Sequence, residues 1–430
     1  MTIRFTSARI ILPDEGRILD GDLVIKDGII AAFGAVEQPP DATDQCIDCR
    51  GTYLAPGIID AGVKIGEPGE RYKESFRTAG LAAIHGGITT LITRPDTTPP
   101  IDQPEMLEFF IRRALAATPV KVRPMATLTK GRDGQELAEI GLLSDAGAIG
   151  FSDCDSFVAD SRVMANCMQY CQQIGALVVG HPQDPWLSNG AAVTSGKFAT
   201  LSGLPAVSPV AEKIGLERDL SLAQATGCKY HADQVTTDLG LATLERAIRS
   251  GVDASAGVSI HHLTLNALDV ADYRTFFKIK PPLRSEDDRL AVVAAVAANR
   301  IGIISSMHTP QDEESKRLPF AEAASGAAGL ETLFPAALKL YHDGALTLPD
   351  IFRSLSSNPA QRFGLAGGVI RIGAPADIIQ FETDTPFILD RFTLQSKSKN
   401  TPYDGDRMQG RILRTLIDGT IVYERPADGP

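Results

Sequence analysis

The middle of the chain alternates short apolar runs with amphipathic stretches, and that alternation leaves few folds open. Strand-like runs at 88–93, 120–126, 148–152, 176–179, 228–231, 252–258 and 301–305 are separated by helical patterns at 105–116, 135–145, 161–175, 241–250 and 286–299. A strand, a crossover helix and a further strand make a parallel pair. About eight such units in succession predict a (β/α)8 TIM-type barrel. The two ends read differently. Runs at 8–12, 21–26 and 29–33 are strand-like, with Asp27-Gly28 as a hairpin turn, and so are 377–381, 410–417 and 420–423, with Asp418-Gly419 as a turn. Two β-rich ends around an α/β middle predict that they pair as one composite β-sandwich domain. The expected division is 1–53 and 365–430 for that domain and 54–364 for the barrel.

Charge and cysteine usage narrow the function. The 53 acidic side chains outnumber 42 lysines and arginines, for a net charge of −11. That balance argues against a nucleic-acid partner, which asks for a basic patch. No run of eighteen apolar residues is present, and residues 1–9 lack the apolar core of a signal peptide, so no membrane and a cytoplasmic location are expected. Six cysteines in 430 residues do not make a disulfide framework. Cys46 and Cys49 form a lone C-x-x-C read as ordinary thiols, and Cys167 and Cys171 share a helical face suited to core packing.

In a barrel of this type, chemistry sits at the C-terminal ends of the strands. The first such end reads P-G-I-I-D-A-G-V-K-I-G-E-P-G over residues 56–69. It resembles the opening signature of the cyclic amidohydrolases (the family of dihydroorotase, allantoinase and hydantoinase), P-G-x-[IV]-D-x-H-x-H-x-R-x-P-G, with Pro68-Gly69 favouring the dihydroorotase branch. The resemblance continues along the chain. Thr89-Thr90 to Pro99-Pro100 resembles T-T-x-x-x-M-P-N-T-x-P-P, and Gly150-Phe151-Ser152-Asp153 a segment that supplies a metal-binding aspartate. Gly180-His181 with Gln183-Asp184 resembles H-x-E-D, and 230–237 resembles H-x-x-H-V-S-T. Further on, 277–284 is similar to F-K-V-N-P-P-L-R, 304–311 to I-A-[ST]-D-H-A-P-H, and 329–332 is G-L-E-T.

Placed on these motifs, the family's functional positions are mostly altered. The resemblance implies metal ligands at Asp153 and His181, retained, and ligands lost at Gly62, Lys64 and Gln234. Substrate contacts are lost at Gly66, Asp96, Lys280 and Gln311, and Met307 stands at the general-base position. Catalytic zinc normally has three protein ligands and an open fourth position, and a thioether neither takes nor gives a proton at neutral pH. The expectation is therefore a non-catalytic member with no catalytic residue and no cofactor. Such a chain would act, as some dihydroorotase-like chains do, as an oligomerising structural partner of aspartate carbamoyltransferase. Two alternatives stand beside it. One is an active metal-dependent cyclic amidohydrolase with a remodelled site built from Asp153, His181, His308 or Asp233. The other is a small-molecule sensor using the vacated pocket.

Alternation along a strand puts residues 62, 64 and 66 on one face, so Lys64 is expected to replace the metal's charge, within about 4 Å of Asp153 or Asp60. His231 and His308 could join Asp153 and His181 in a rebuilt metal site. His261 and His262 read as structural, His85 and His342 as ordinary helical residues, and Trp186 as a loop residue over the site or the barrel rim.

Overall fold

In a computed structural model, residues 2–36 and 45–426 are described. The first five strands are β1 (Thr2–Leu12), β2 (Arg17–Lys26), β3 (Ile29–Gly34), β4 (Gln45–Asp48) and β5 (Tyr53–Pro56). Asp27 and Gly28 both take positive φ in the turn between β2 and β3, which is what their pairing in the sequence asks for.

The parallel strands follow: β6 (Ile58–Val63), β7 (Ile88–Thr93), β8 (Lys121–Pro124) and β9 (Leu177–Gly180), then, after a two-stranded insertion of β10 (Val193–Thr194) and β11 (Ala206–Val207), β12 (Lys229–Ala232), β13 (Ala254–Ser259) and β14 (Ile303–Ser305). β6, β7 and β8 form one sheet and β9, β12, β13 and β14 another. Single parallel bridges from Phe151 to Ala126 and to Val178 join them, and β14 packs back against β6. The run read as a strand at 148–152 is therefore only a bridge, and the helix read at 135–145 is reduced to Ile140–Asp145. Helix Val210–Thr226 was not foreseen.

The chain ends on β15 (Ile378–Ile388), β16 (Arg407–Ile417) and β17 (Thr420–Glu424). β15 pairs antiparallel with β5, so the two ends share one sheet in the order β17-β16-β15-β5-β1-β2-β3, with β4 alongside β1. The two ends pair as expected, and the hydrogen bonding runs through one continuous mixed sheet where a composite β-sandwich was expected. The reason is the length of β1: its first half pairs with β4 and its second half with β5. A large apolar core fills the parallel unit and a smaller one, including Phe5, Ile10 and Leu23, lies beneath the mixed sheet. No helix among the described residues is long and apolar enough to cross a membrane. All six cysteines are free, and burial holds the Cys49 thiol up at about 11, far from a reactive thiolate.

Candidate functional site

At the C-terminal strand ends lies a cavity of about 220 Å³ lined by Lys64, Arg94, Asp96, Asp155, His181 and Lys280 among others. It adjoins a second hollow of about 310 Å³ through Asp155, His181 and Lys280. Phe157, Pro281, Pro282 and the exposed Trp186 wall that hollow. Trp186 thus stands at the rim.

The expected common face of residues 62, 64 and 66 is corrected. Gly62 has φ of 89°, and the pairing of β6 with β7 shifts register between Ala61 and Val63. A bulge of this kind breaks the alternation on which the expectation rested. Gly62 lies beneath Met307, while Gly66 turns so tightly that a Cβ there would come within 2.3 Å of the Glu70 carbonyl. Only Lys64 reaches the cavity.

Lys64 is a half-buried cation, but its partners are not those expected. Its ammonium lies 3.1 Å from Glu70 and 3.4 Å from Asp96. Burial lowers its proton affinity, but Asp96 and Glu70 outweigh that and hold its pKa above the ordinary lysine value. The pairing with Asp153 or Asp60 is corrected because each of those carboxylates is satisfied elsewhere. Asp153 accepts from Leu128 N at 2.9 Å, Thr129 N at 3.1 Å and the Thr129 hydroxyl. Asp60 accepts from Ser306 N at 2.8 Å and the Ser306 hydroxyl, and burial pushes its pKa up to about 6. Arg94 still faces Asp96 when Lys64 is removed, so Lys64→Met is expected to lower stability by about 1–3 kcal/mol, as read by urea unfolding. A loss of more than about 4 kcal/mol would mean that Lys64 alone neutralises the cluster.

Asp153 is also displaced from its expected role as a retained metal ligand. Around Phe151 the inner residues are Ser152 and Cys154, which line the small space beneath Met307. Asp153 points the other way, into the packing under Val158 and Met164. His181 does line the cavity, with Nδ1 3.1 Å from Asp233. Of the remaining histidines only His261 also lines the cavity, with its Nε2 buried and without a hydrogen-bond partner among the described residues. His231 is buried, bonded to Ser255 at 2.8 Å and held by burial down at about 3, so it stays neutral. His308 is fully buried, 3.5 Å from Glu74. His261 and His262 bond Tyr403 and Ser259, in keeping with structural roles. Of the altered positions, Gln234 donates to the Lys280 carbonyl at 2.9 Å and Gln311 to the Ser325 carbonyl at 2.8 Å.

Sequence reasoning named Lys64, Asp96 and Lys280 but missed Arg94, Arg132 and Asp155, which complete the charge cluster at the cavity. Arg94 grips Asp96 at 3.1 and 2.9 Å, and Asp155 lies among Arg94, Arg132 and Lys280 at 3.7, 3.0 and 3.2 Å. Burial works against the Asp155 carboxylate, yet Arg94, Lys280 and their neighbours hold its pKa well below the usual carboxylate range. The signal was present. Where the resembled motif reads M-P-N, this chain reads Arg94-Pro95-Asp96, a cation and an anion introduced together.

A family model described as dihydro-orotase-like matches residues 51–238. A dihydroorotase of Desulforapulum autotrophicum is 35% identical over 429 residues, covering 99% of this chain and 100% of that one. The chain belongs to the dihydroorotase family. A dihydroorotase of Bacillus caldolyticus is 36% identical, with 96% of each chain covered, and one of Aquifex aeolicus is 34% identical, covering 96% of this chain and 97% of that one. Among solved structures, the L-hydantoinase (dihydropyrimidinase) of Arthrobacter aurescens superposes with a TM-score of 0.90 at 23% identity, covering 100% of this chain and 96% of that one. The dihydropyrimidinase of Brevibacillus agri gives 0.85 at 17%, covering 99% and 95%. These two show the fold.

For this dihydroorotase-family chain, the expectation of a non-catalytic protein without a cofactor is overturned. Its relatives carry an enzyme's name over essentially the full length, and the resemblance that brings zinc into view comes with that family. The inherited ligand positions do not fit zinc, however. Asp153 is engaged by Leu128 and Thr129, and positions 62, 64 and 234 offer no side chain, an ammonium and an amide. Among the described residues no group of three or more His, Cys, Asp or Glu is placed to hold a metal. Of the inherited positions only His181 still faces the cavity, so the family's metal would need further donors beside it.

Proposed function

We propose that the chain is a cyclic amidohydrolase of the dihydroorotase type, working in pyrimidine biosynthesis in the cytoplasm through a rebuilt strand-end site. The observation that carries this reading is the His181–Asp233 pair at the cavity wall. Of the residues considered for a remodelled site, Asp153 and His308 are buried away from the cavity, whereas His181 faces it with a carboxylate at its back. A carboxylate on Nδ1 fixes the tautomer and leaves the other ring nitrogen for proton transfer. In ring opening, His181 takes a proton from the attacking water. The water oxygen bonds to the amide carbon, the C–N bond breaks, and His181 returns the proton to the ring nitrogen. Lys64 and Arg94 supply positive charge at the cavity wall, and Lys280, the most exposed of its cations, is the one a substrate carboxylate draws from Asp155.

The cyclic arrangement of parallel strands is read as a (β/α)8 barrel spanning 54–364, with 1–53 and 365–430 as the accessory β domain. Association with aspartate carbamoyltransferase is retained as a proposal that rests on the resemblance, and copurification from a co-expressing cell tests it. For the reaction, purified protein should open the ring of dihydroorotate, and His181→Ala should reduce the rate by about 10²–10⁴-fold. The assay is run with added divalent metal and with chelator. No turnover above buffer under either condition, or an undiminished His181→Ala variant, would overturn the reading.

A further inference from the structure

The two hollows at the strand ends meet at a carboxylate of the chain itself, that of Asp155, whose side chain is 35% exposed. It stands on a tight turn at 153–156, closed by a hydrogen bond from Ser156 N to the Asp153 carbonyl at 3.1 Å, with Cys154 at φ of 54°. From that turn it meets three cations carried by three other segments. Arg132 lies 3.0 Å from Oδ1 and Arg94 3.7 Å from the same oxygen, while Lys280 lies 3.2 Å from Oδ2. Cations on both oxygens are how a protein grips a bound carboxylate.

The cations differ in what else holds them. Arg94 is matched by Asp96, and Arg132 also donates to the Asp153 carbonyl at 3.1 and 2.9 Å. For Arg132 and Lys280, Asp155 is the only carboxylate within salt-bridge reach among the described residues. Lys280 is 56% exposed and lines both hollows, and a pair this open to water is weak. Asp155 is also loosely fixed. Its oxygens accept hydrogen bonds only from Arg132 and Lys280 among the described residues, whereas backbone N–H groups anchor Asp153 and Asp60. A second carboxylate brought to these cations repels the first, so one is held only as the other leaves.

We propose that Asp155 is the resident occupant of a carboxylate-binding site formed by Arg132, Lys280 and Arg94, and that a ligand carboxylate enters by displacing it. Asp155 thereby sets specificity, since it weakens ligands that carry a carboxylate and leaves neutral ones unaffected. Only the choice of dihydroorotate as such a ligand rests on the amidohydrolase reading. The probe is malonate, with malonamide as its neutral control, titrated calorimetrically into the full chain. Asp155→Ala should bind malonate at least about tenfold more tightly than the parent and leave malonamide unchanged. Asp155→Asn, which keeps the shape of the side chain, should shift malonate in the same direction, and Asp155→Glu, which keeps the charge, should not. Adding Lys280→Met to Asp155→Ala should remove the gain. Dihydroorotate should follow malonate, and dihydrouracil, the same ring without the carboxylate, should follow malonamide. Malonate binding unchanged or weakened in Asp155→Ala, an equal gain in Asp155→Glu, or a gain that survives Lys280→Met would overturn the proposal. A malonate gain without any binding of dihydroorotate sustains it and counts against the amidohydrolase reading instead.

Discussion

Replacing Arg284 with leucine is expected to lower the free energy of unfolding by about 3–5 kcal/mol, because it strands a buried carboxylate. Arg284 and Glu212 are 1% and 0% exposed and 3.3 Å apart. Glu212 also accepts from Thr236 N at 2.9 Å, Thr237 N at 3.0 Å and Gln183 at 3.2 Å, while Arg284 Nε donates to the Thr236 hydroxyl at 2.9 Å. The network thus ties the segment after β12, which carries Asp233, to the segment after β9, which carries His181. Losing it should loosen the His181–Asp233 pair as well as the fold, so ring opening should fall in the same variant below its melting range. The double variant Arg284→Leu with Glu212→Leu should recover part of the stability, since no charge is then left alone. Chemical denaturation of the three variants decides this. A single-variant loss below about 1 kcal/mol would show that water reaches Glu212 and that the pair is not dry.

That network also marks where sequence reasoning stops. Arg284 closes the motif at 277–284, so its presence was legible, but its partner Glu212 lies in helix Val210–Thr226, which the periodicity did not reveal. The helix turns Glu212 and Asp219 inward, each matched by buried partners, and two acids on the core face erase the apolar stripe by which a helix is read. The strand–helix alternation, by contrast, was legible because strands buried on both faces are continuous apolar runs, as Ile88–Thr93 is. The pairing of the two ends was legible because both are β-rich around an α/β middle. At the site, residue types could be placed on motifs but their directions could not. Alternation turned Lys64 inward and the resemblance placed Asp153 beside it, whereas the bulge at Gly62 and the single bridge at Phe151 turn them apart. Direction at strand ends is set by local φ, ψ and by which backbone donors are near, and neither is written in the spacing of residues.

Gly62 and Met307 should prove to be one coupled change. Gly62 sits at φ of 89°, where any other residue is strained, and a Cβ built there would lie 2.6 Å from the Met307 sulfur. Met307 itself has φ of 45° and is 8% exposed, so its side chain has little room to withdraw. Gly62→Ala is therefore expected to cost about 2–4 kcal/mol, combining backbone strain with overpacking. Met307→Ala alone should cost about 2–4 kcal/mol through the space it leaves. Together they should cost less than the sum by about 1–3 kcal/mol, because the overpacking disappears while the strain at position 62 remains. The coupling gives the site an order of change. A histidine at position 62, the residue type the family motif has there, is blocked while Met307 fills the space above it, and becomes tolerable only after position 307 has become smaller. Gly62→His should accordingly be expressed poorly or unfold early by thermal melt, and be rescued by Met307→Ala or Met307→Asp. Additive costs to within about 0.5 kcal/mol in the alanine cycle would show that Met307 swings clear of position 62, and the order of change would then not hold.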